Sequence, residues 1–388
     1  MSKWIKFSLG RPNIKGTQLI LRNTVVNGQC FNWYPLQEHD YIGVLSNYLI
    51  RIKQDLDTHD IHFRYHTHLK LGKKIVVDQQ VQDLLFDYFQ LDSVDLGSLY
   101  KTWSKDKYFA SIGPCLPGLR ILRQDPWECT ISFLVSQNNH IKRITTCMRI
   151  IRSTYGTKIG NLQKVLDKQE EFKDFEIDNF YTFPTLKQLS KATEKDLRDL
   201  GLGYRAKYIE SSVKLIKEKG GEDWIRDLRV PTPKAEEEEV KIEESKEVKV
   251  QTDTSEVKEK SIADSLSEIR EQLIELKGVG KKVADCVALF SLGCHNSIPV
   301  DTHVNQIAQR VYGKKLKSDK SYNNVVKVFN DAFGPYCGWA HSVLFAAELP
   351  KYKVIIDLDT SKKRKKKELN KLIEEDGDFT TSRKRKLK

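Results

Sequence analysis

The sequence predicts an α+β protein, with an N-terminal antiparallel β-sheet domain followed by a mainly α-helical body. Residues 1–70 mix β-branched and aromatic residues with polar ones, broken by turn formers. From about residue 118, apolar residues recur almost throughout at helical spacing. A charged stretch poor in large apolar groups, 231–262, divides that helical body. The predicted organisation is a sheet domain over 1–117, a helical domain over 118–230, a disordered acidic insertion over 231–262, a second helical region over 263–350 and a basic tail over 351–388. A chain of 388 residues can bury the cores of two or three domains.

In chain order, the strand candidates are K-G-T-Q-L-I-L (15–21), C-F-N-W-Y (30–34), Y-I-G-V-L (41–45) and I-H-F-R-Y-H (61–66). In the last, Ile61, Phe63 and Tyr65 share one face, and His62, Arg64, His66 and His68 the other. A solvated polar face accounts for that second set more simply than a metal site. Residues 78–104 turn helical. D-P-W-E (125–128) sets an Asp N-cap before Pro at the first helical position, a strong helix start. Further helices are predicted around 141–154, 185–200, 205–219 and 264–276.

The formal net charge of +12 and a pI of about 9.1 point to a polyanion or an anionic surface as partner. Residues 351–388 carry +7 and 231–262 carry −4, so the remainder is itself basic at +9. The clusters K-K-R-K-K-K (362–367) and R-K-R-K (383–386) suit import receptors, non-specific DNA contact, or both. Seven scattered cysteines without a C-x-x-C pair argue against a disulfide framework, a zinc ribbon or a four-cysteine cluster. No apolar run reaches the roughly 18 residues of a membrane helix, and the N-terminus lacks a secretory core. A soluble intracellular monomer is expected.

The chemistry concentrates at L-K-G-V-G-K-K-V-A-D-C (276–286). Leu266, Ile269, Leu273 and Leu276 form an apolar stripe before the turn; Val283, Ala284, Val287 and Ala288 form another after it. The unit is a helix, a two-glycine hairpin and a second helix. Glycines allow close backbone approach, and the next helix offers free N–H groups to an anion. A nucleotide phosphate loop does not fit, since no glycine lies five residues before Gly280 and Lys282 stands where Ser or Thr would bind magnesium. Lys282, Cys286 and Phe290 share one helical face, whereas Lys281 lies about 100° away, toward phosphate or solvent. A lysine at this end of a helix is disfavoured in its charged form, which suits a nucleophile for Schiff-base chemistry. Two plain surface charges are the alternative. In P-V-D-T-H, Asp301 can N-cap the next helix, whose buried stripe is Val304, Ile307, Ala308 and Val311. The same carboxylate could also stabilise positive charge developing on a sugar ring.

With N-G-Q-C-F-N-W (27–33), L-R-Q-D-P-W-E-C (122–129), S-Q-N-N-H-I-K-R-I (136–144), L-G-L-G-Y-R-A-K-Y (200–208), V-D-T-H (300–303) and G-P-Y-C-G-W-A-H-S-V-L-F (334–345), the hairpin segment resembles the helix-hairpin-helix DNA glycosylase superfamily. Within it the match is to the 8-oxoguanine DNA glycosylase/lyases of eukaryotes, over about residues 5–349 apart from the insertion. The resemblance implies a helical glycosylase core and excision of 8-oxoguanine and related oxidised purines opposite cytosine in duplex DNA. Lys282 falls on the lysine that attacks C1′ and forms the imine, and Asp301 on the catalytic aspartate. Gly28 falls on the glycine whose carbonyl accepts from N7–H of the oxidised base. Cys286 and Phe345 match the faces that sandwich the flipped base, with Phe290 and His341 completing the pocket. Asn138 matches the residue that fills the vacated stack, and Arg143, Tyr204 and Arg205 the group around the orphaned cytosine. His303 matches a phosphate contact. Gly278 and Gly280 match the hairpin that grips the strand, with or without a monovalent cation. The resemblance implies neither cofactor nor catalytic metal, and a nuclear location with a mitochondrial share left open.

The chain departs from that family's pattern in three places. His341 stands where the family typically has Gln on the pairing edge of the base, implying altered selectivity or pH dependence. Phe290 replaces a smaller or more flexible side chain, and His140 one asparagine of three. The same fold acting on another lesion, and a hairpin module that binds phosphates without chemistry, are the competing readings.

Overall fold

The computed structural model describes residues 3–7, 18–55, 57–69, 74–167, 172, 175–231, 262–313, 322–353 and 356. The acidic insertion beyond Pro231 and before Ile262, and the basic clusters of the tail, lie outside the described residues.

Five strands, β1 (Ile5–Phe7), β2 (Trp33–Gln37), β3 (Asp40–Leu45), β4 (Tyr48–Gln54) and β5 (Ile61–His66), form one antiparallel sheet in the order β1-β5-β4-β3-β2. The β3–β4 hairpin closes on Leu45 paired with Tyr48, and Ser46 in its two-residue turn takes φ 53°. Positive φ suits the twist of two-residue hairpins. Trp33 pairs with Gly43 across β2 and β3, and a Cβ on Gly43 would lie 2.5 Å from the Trp33 ring. Only glycine leaves that ring room to lie on the sheet.

The sheet is covered on both faces. Ile50, Ile52, Ile61 and Phe63 pack on Val77, Val81, Leu85 and Phe89 of the segment that includes helix Lys74–Tyr88. Ile42, Val44 and Leu49 on the other face pack on Ile159, Leu162, Val165 and Phe180, around the small β6 (Lys158–Asn161) and β7 (Asn179–Tyr181) hairpin. The predicted solvated face of β5 is therefore wrong at its centre. Arg64 is only 1% exposed, donates to both carboxylate oxygens of Asp167 at 2.8 and 2.7 Å, and lies 3.9 Å from the Trp4 ring centre. A bidentate carboxylate and an aromatic lid replace the water such a guanidinium needs.

The predicted strand at 15–21 also differs. Its first three residues lie outside the described residues, Gln18–Ile20 are irregular, and Leu21 opens a helical turn. The Gln54 side chain accepts from Leu21 N–H and donates to the Leu19 carbonyl, occupying groups that a strand neighbour would need. Both β1 and β4 escaped the strand reading.

In the helical body, Asp125 caps helix Pro126–Ser136 by accepting from Glu128 N–H, with Pro126 at its first position. This helix is buried along its length and packs against helix Lys281–Ser291. Helices Leu96–Trp103 and Lys107–Ile112, within the span assigned to the sheet domain, bury Trp103 and Phe109 in the helical core. Trp103 donates its indole N–H to the Phe333 carbonyl at 3.2 Å. The predicted helix at 185–200 is broken into Leu186–Leu189 and Glu194–Leu197, because capping boxes at Thr185/Gln188 and Thr193/Asp196 each start a helix. A wide turn at Arg198–Leu202 follows, with Gly201 at φ 85°.

Candidate active site

The hairpin places its two glycines differently. Gly278 has φ 86°, and a Cβ there would stand 2.5 Å from the Tyr208 ring, so backbone and packing both require glycine. Gly280 is extended with nothing within 4 Å of an added Cβ, and no side chain caps the helix it opens. The first N–H groups of helix Lys281–Ser291 therefore face an open approach, as an anion site needs. Lys281 is exposed, 5.7 Å from the Tyr322 ring centre. Lys282 is half-buried and turns inward, its Nζ 5.5 Å from the Phe133 ring centre.

That inward face closes a cleft of about 70 Å³ lined by Lys282, Cys286, Phe290, Asp301, His341, Phe345 and Gly28, joined by Asn27, Gln29, Phe133, Pro299 and Ser342. All the predicted catalytic and base-pocket residues meet there. Asp301 caps helix Thr302–Tyr312, its Oδ1 accepting from Val304 N–H at 2.9 Å. Capping holds this carboxylate at the cleft rim, so the structural and chemical readings of Asp301 are compatible. His303, two residues on, meets Phe345 edge to face at 5.9 Å, at the border of the cleft rather than in it.

The Gly28 loop is braced from behind. Gln29 donates to the carbonyls of Thr24 and Arg120 and accepts from Leu122 N–H; Asn27 donates to the Asn23 carbonyl. Gly28 itself has φ 91° and its Cα abuts Ile141, where a Cβ would come within 2.8 Å. Phe133 stacks on Phe290 at 5.5 Å and 11°, forming an aromatic wall beside Lys282. Sequence reading missed Asn27, Gln29, Phe133, Pro299 and Ser342. Asn27, Gln29 and Ser342 adjoin predicted residues, which was the available signal; Phe133 showed only as an apolar helical position.

Burial pushes the Cys286 thiol up to about 11, with Lys282 beside it pulling the other way. His341 is 4% exposed, and burial pushes its imidazole down to about 4 despite Asp301 nearby. Neither ring nitrogen of His341 has a hydrogen-bond partner. The Gly338 carbonyl favours a charged ring from close by but lies outside hydrogen-bond geometry, and it accepts the Ser342 hydroxyl instead. A buried imidazole with both nitrogens unpaired is costly, and unpaired groups of this kind commonly await a ligand.

The two halves of the cleft are tied by a buried carboxylate. Asp285, fully buried, accepts from Arg270 at 2.8 and 2.9 Å, from Ser297 at 3.1 Å and from the Tyr322 hydroxyl. The same hydroxyl accepts from Val300 N–H at 3.2 Å. Asp285 lies one turn beyond Lys282 and Val300 precedes Asp301, so this chain of hydrogen bonds fixes one relative to the other.

A second group forms outside the cleft. Asn138 sits in the turn before helix Ile141–Tyr155 with φ 46°, a conformation asparagine tolerates. Tyr204 is 43% exposed, meets Tyr208 edge to face at 5.7 Å, and donates to the Gln137 carbonyl. Through Tyr208 this aromatic pair reaches Gly278 of the hairpin. Arg143 is exposed and donates to the Gly201 carbonyl at 3.3 Å. Arg205 is only 7% exposed and donates to the Gln137 and Asn138 carbonyls. It braces the Asn138 turn as placed, rather than facing solvent with Arg143. Among the described residues no group of three or more His, Cys, Asp or Glu is placed to hold a metal ion.

Residues 12–130 match the family described as 8-oxoguanine DNA glycosylase, N-terminal domain, and residues 131–335 match the HhH-GPD superfamily of base excision DNA repair proteins. An N-glycosylase/DNA lyase of Arabidopsis thaliana is 34% identical over 91% of this chain and 82% of its own length. An N-glycosylase/DNA lyase of Saccharomyces cerevisiae is 30% identical over 93% of this chain and 92% of its own. Among solved structures, the Clostridium acetobutylicum 8-oxoguanine glycosylase/lyase, in complex with double-stranded DNA containing cytosine opposite 8-oxoguanine, is 25% identical with a TM-score of 0.62, covering 85% of this chain and 91% of that one. By both matched regions and by its full-length relatives, this chain belongs to the HhH-GPD superfamily of base excision DNA repair proteins, with the N-terminal domain of the 8-oxoguanine DNA glycosylases.

Proposed function

We propose that the protein is a bifunctional N-glycosylase/DNA lyase that removes 8-oxoguanine and related oxidised purines opposite cytosine from duplex DNA. One observation carries the reading: Lys282, in the first turn of one helix, and Asp301, the N-cap of another, line the same narrow cleft as Gly28. A phosphate-binding module has no use for an inward lysine that lines one cleft with a carboxylate.

The base enters this cleft extrahelically, because C1′ is shielded within the stack. Lys282 Nζ attacks C1′ as the C1′–N9 bond breaks, and the base leaves with the bonding electrons and takes up a proton. Asp301 stabilises the positive charge that develops on the sugar. The amine adduct opens the ring at O4′ to an imine. Loss of a C2′ proton then expels the 3′ phosphate, which is the lyase step. The Gly28 carbonyl accepts from N7–H of the oxidised base; normal guanine would set its N7 lone pair against the same oxygen. Asn138 occupies the vacated stack, Tyr204 wedges the kinked duplex, and Arg143 with Arg205 attends the orphaned cytosine. For Arg205 to do so, its donors must partly exchange from the Gln137 and Asn138 carbonyls. The hairpin at Gly278–Gly280 and His303 hold phosphates. The basic tail directs the protein to the nucleus through import receptors, and it acts as a monomer.

Borohydride trapping on duplex DNA with 8-oxoguanine opposite cytosine tests the mechanism. Wild type is expected to cross-link and Lys282→Gln to lose the cross-link, with excision slowed about 10³-fold or more and DNA binding kept. A cross-link that survives in Lys282→Gln would falsify the assignment.

A further inference from the structure

We infer that His341 makes this pocket an indifferent reader of the base's pairing edge, so that its substrate class is the 8-oxopurines sharing N7–H and C8=O, whatever stands at C6 and C2. The inference rests on the cleft as the base pocket and on Gly28 as the N7–H reader.

The tautomer of a histidine is ordinarily set by the hydrogen bond that its other nitrogen makes. His295, in the same helical body, shows this: its Nδ1 accepts from the Trp339 indole at 3.0 Å, so the proton must sit on Nε2. His341 makes no hydrogen bond of that kind; the Gly338 carbonyl lies close to the ring but outside hydrogen-bond geometry, so it biases the proton without fixing it. Both nitrogens are buried and unpartnered, its ring lies between Phe329 and Phe345 at 5.8 and 6.2 Å, and burial keeps it neutral near neutral pH. A neutral imidazole whose second nitrogen is unanchored can place either a lone pair or an N–H at its first, without moving an atom.

The pairing edges of oxidised purines differ in just this way. 8-Oxoguanine and 8-oxohypoxanthine carry a donor at N1, and 8-oxoadenine an acceptor. A fixed donor or acceptor at this point would reject one kind, by roughly ten-thousand-fold where a site is built to do so. An unfixed imidazole meets both with one hydrogen bond, and being a single contact it ignores the C2 amine. Selectivity then falls on the invariant face of the lesion, N7–H against the Gly28 carbonyl.

The test uses the full chain and single-turnover excision from duplexes carrying 8-oxoguanine, 8-oxohypoxanthine or 8-oxoadenine, each opposite cytosine so that contacts to the orphaned base stay constant. Wild-type rates for the three are expected to agree within about tenfold, and His341→Phe to slow all three by a similar factor, on the order of tenfold for one lost hydrogen bond. His341→Gln, which keeps polarity should the phenylalanine variant not fold, is expected to favour 8-oxoguanine over 8-oxohypoxanthine, since an amide donates and accepts at two atoms and can engage the C2 amine. A loss in His341→Phe confined to one edge type shows a fixed tautomer and overturns the inference. So does 8-oxoadenine excision below roughly a thousandth of the 8-oxoguanine rate. If wild type excises none of the three, the proposed function fails with it.

Discussion

Two clefts of this molecule differ in what their polar groups are doing. One, of about 400 Å³, lies where the sheet meets the helical body and is lined by Asp87, Asp125, Glu128 and Glu222 with Arg123, Arg152 and Arg226. Every one of those carboxylates pairs with an arginine: Asp87 with Arg123, Glu128 with Arg152, and Asp125 and Glu222 with Arg226. The other cleft, of about 70 Å³, is far smaller, yet it holds a buried imidazole with no partner beside an inward lysine. Of these two, volume favours the first. Single unpaired atoms occur in both, Asn32 Oδ1 and Arg152 Nε in the first and both His341 nitrogens in the second. Only in the second does a whole buried side chain lack any hydrogen bond, and it does so beside a lysine; such a group keeps its interaction energy for a ligand. The larger cleft is a charged seam between layers; the smaller one is the site proposed for the chemistry.

That contrast can be broken most directly with Arg152→Met. Arg152 is 4% exposed and pairs with Glu128, whose carboxyl burial has already pushed upward. Removing the guanidinium should lower stability by about 3 kcal/mol, the low end for a broken buried pair because Glu128 keeps 21% of its side-chain surface. Excision per folded molecule should stay at the wild-type rate. Urea melts and a rate measured well below the melting temperature check both halves, and a rate that falls with unchanged stability would make the seam functional.

Tyr322→Phe sharpens the contrast, since it touches neither cleft yet removes the hydroxyl joining Asp285 to Val300. A stability loss of about 1–3 kcal/mol is expected from the groups left unpaired, with kcat lowered while KM holds. If both kinetic constants stay at their wild-type values, Tyr322 is not a positioning residue.

A third effect, small over any single pH unit, is in pH. His295 and His341 are both pushed by burial from an ordinary 6.5 to about 4. Between those values the unfolded chain takes up protons that the folded one refuses, so each histidine lowers stability as pH falls from about 6.5 toward 4. Each contributes at most about 1.4 kcal/mol per pH unit. His341→Gln should remove one such contribution, making the stability profile flatter on the acid side than that of wild type; parallel profiles would show that His341 is protonated when folded.

Much of the candidate site was legible because it is local. The Lys282, Cys286 and Phe290 face follows from helical spacing, and Asp125 and Asp301 are caps that precede their helices directly. Departures appeared wherever a distant segment supplied the partner. Arg64 looked solvent-facing until Asp167 and Trp4 covered it, and Gln54, not a strand, held the backbone of Leu19 and Leu21. Arg205 read as a surface cation because the carbonyls of Gln137 and Asn138 are invisible to periodicity.

By itself, then, the sequence determined the helix starts, the hairpin, which of two adjacent lysines turns inward, and the family resemblance. Those depend on dihedral preferences, capping and side-chain spacing within a few residues. Only the tertiary structure decided that Lys282, Asp301, Gly28 and His341 share one cleft, that Tyr322 ties its two sides together, and that no hydrogen bond fixes the tautomer of His341. Hydrogen-bond satisfaction and burial are sums over neighbours brought from hundreds of residues apart, and no local pattern carries them.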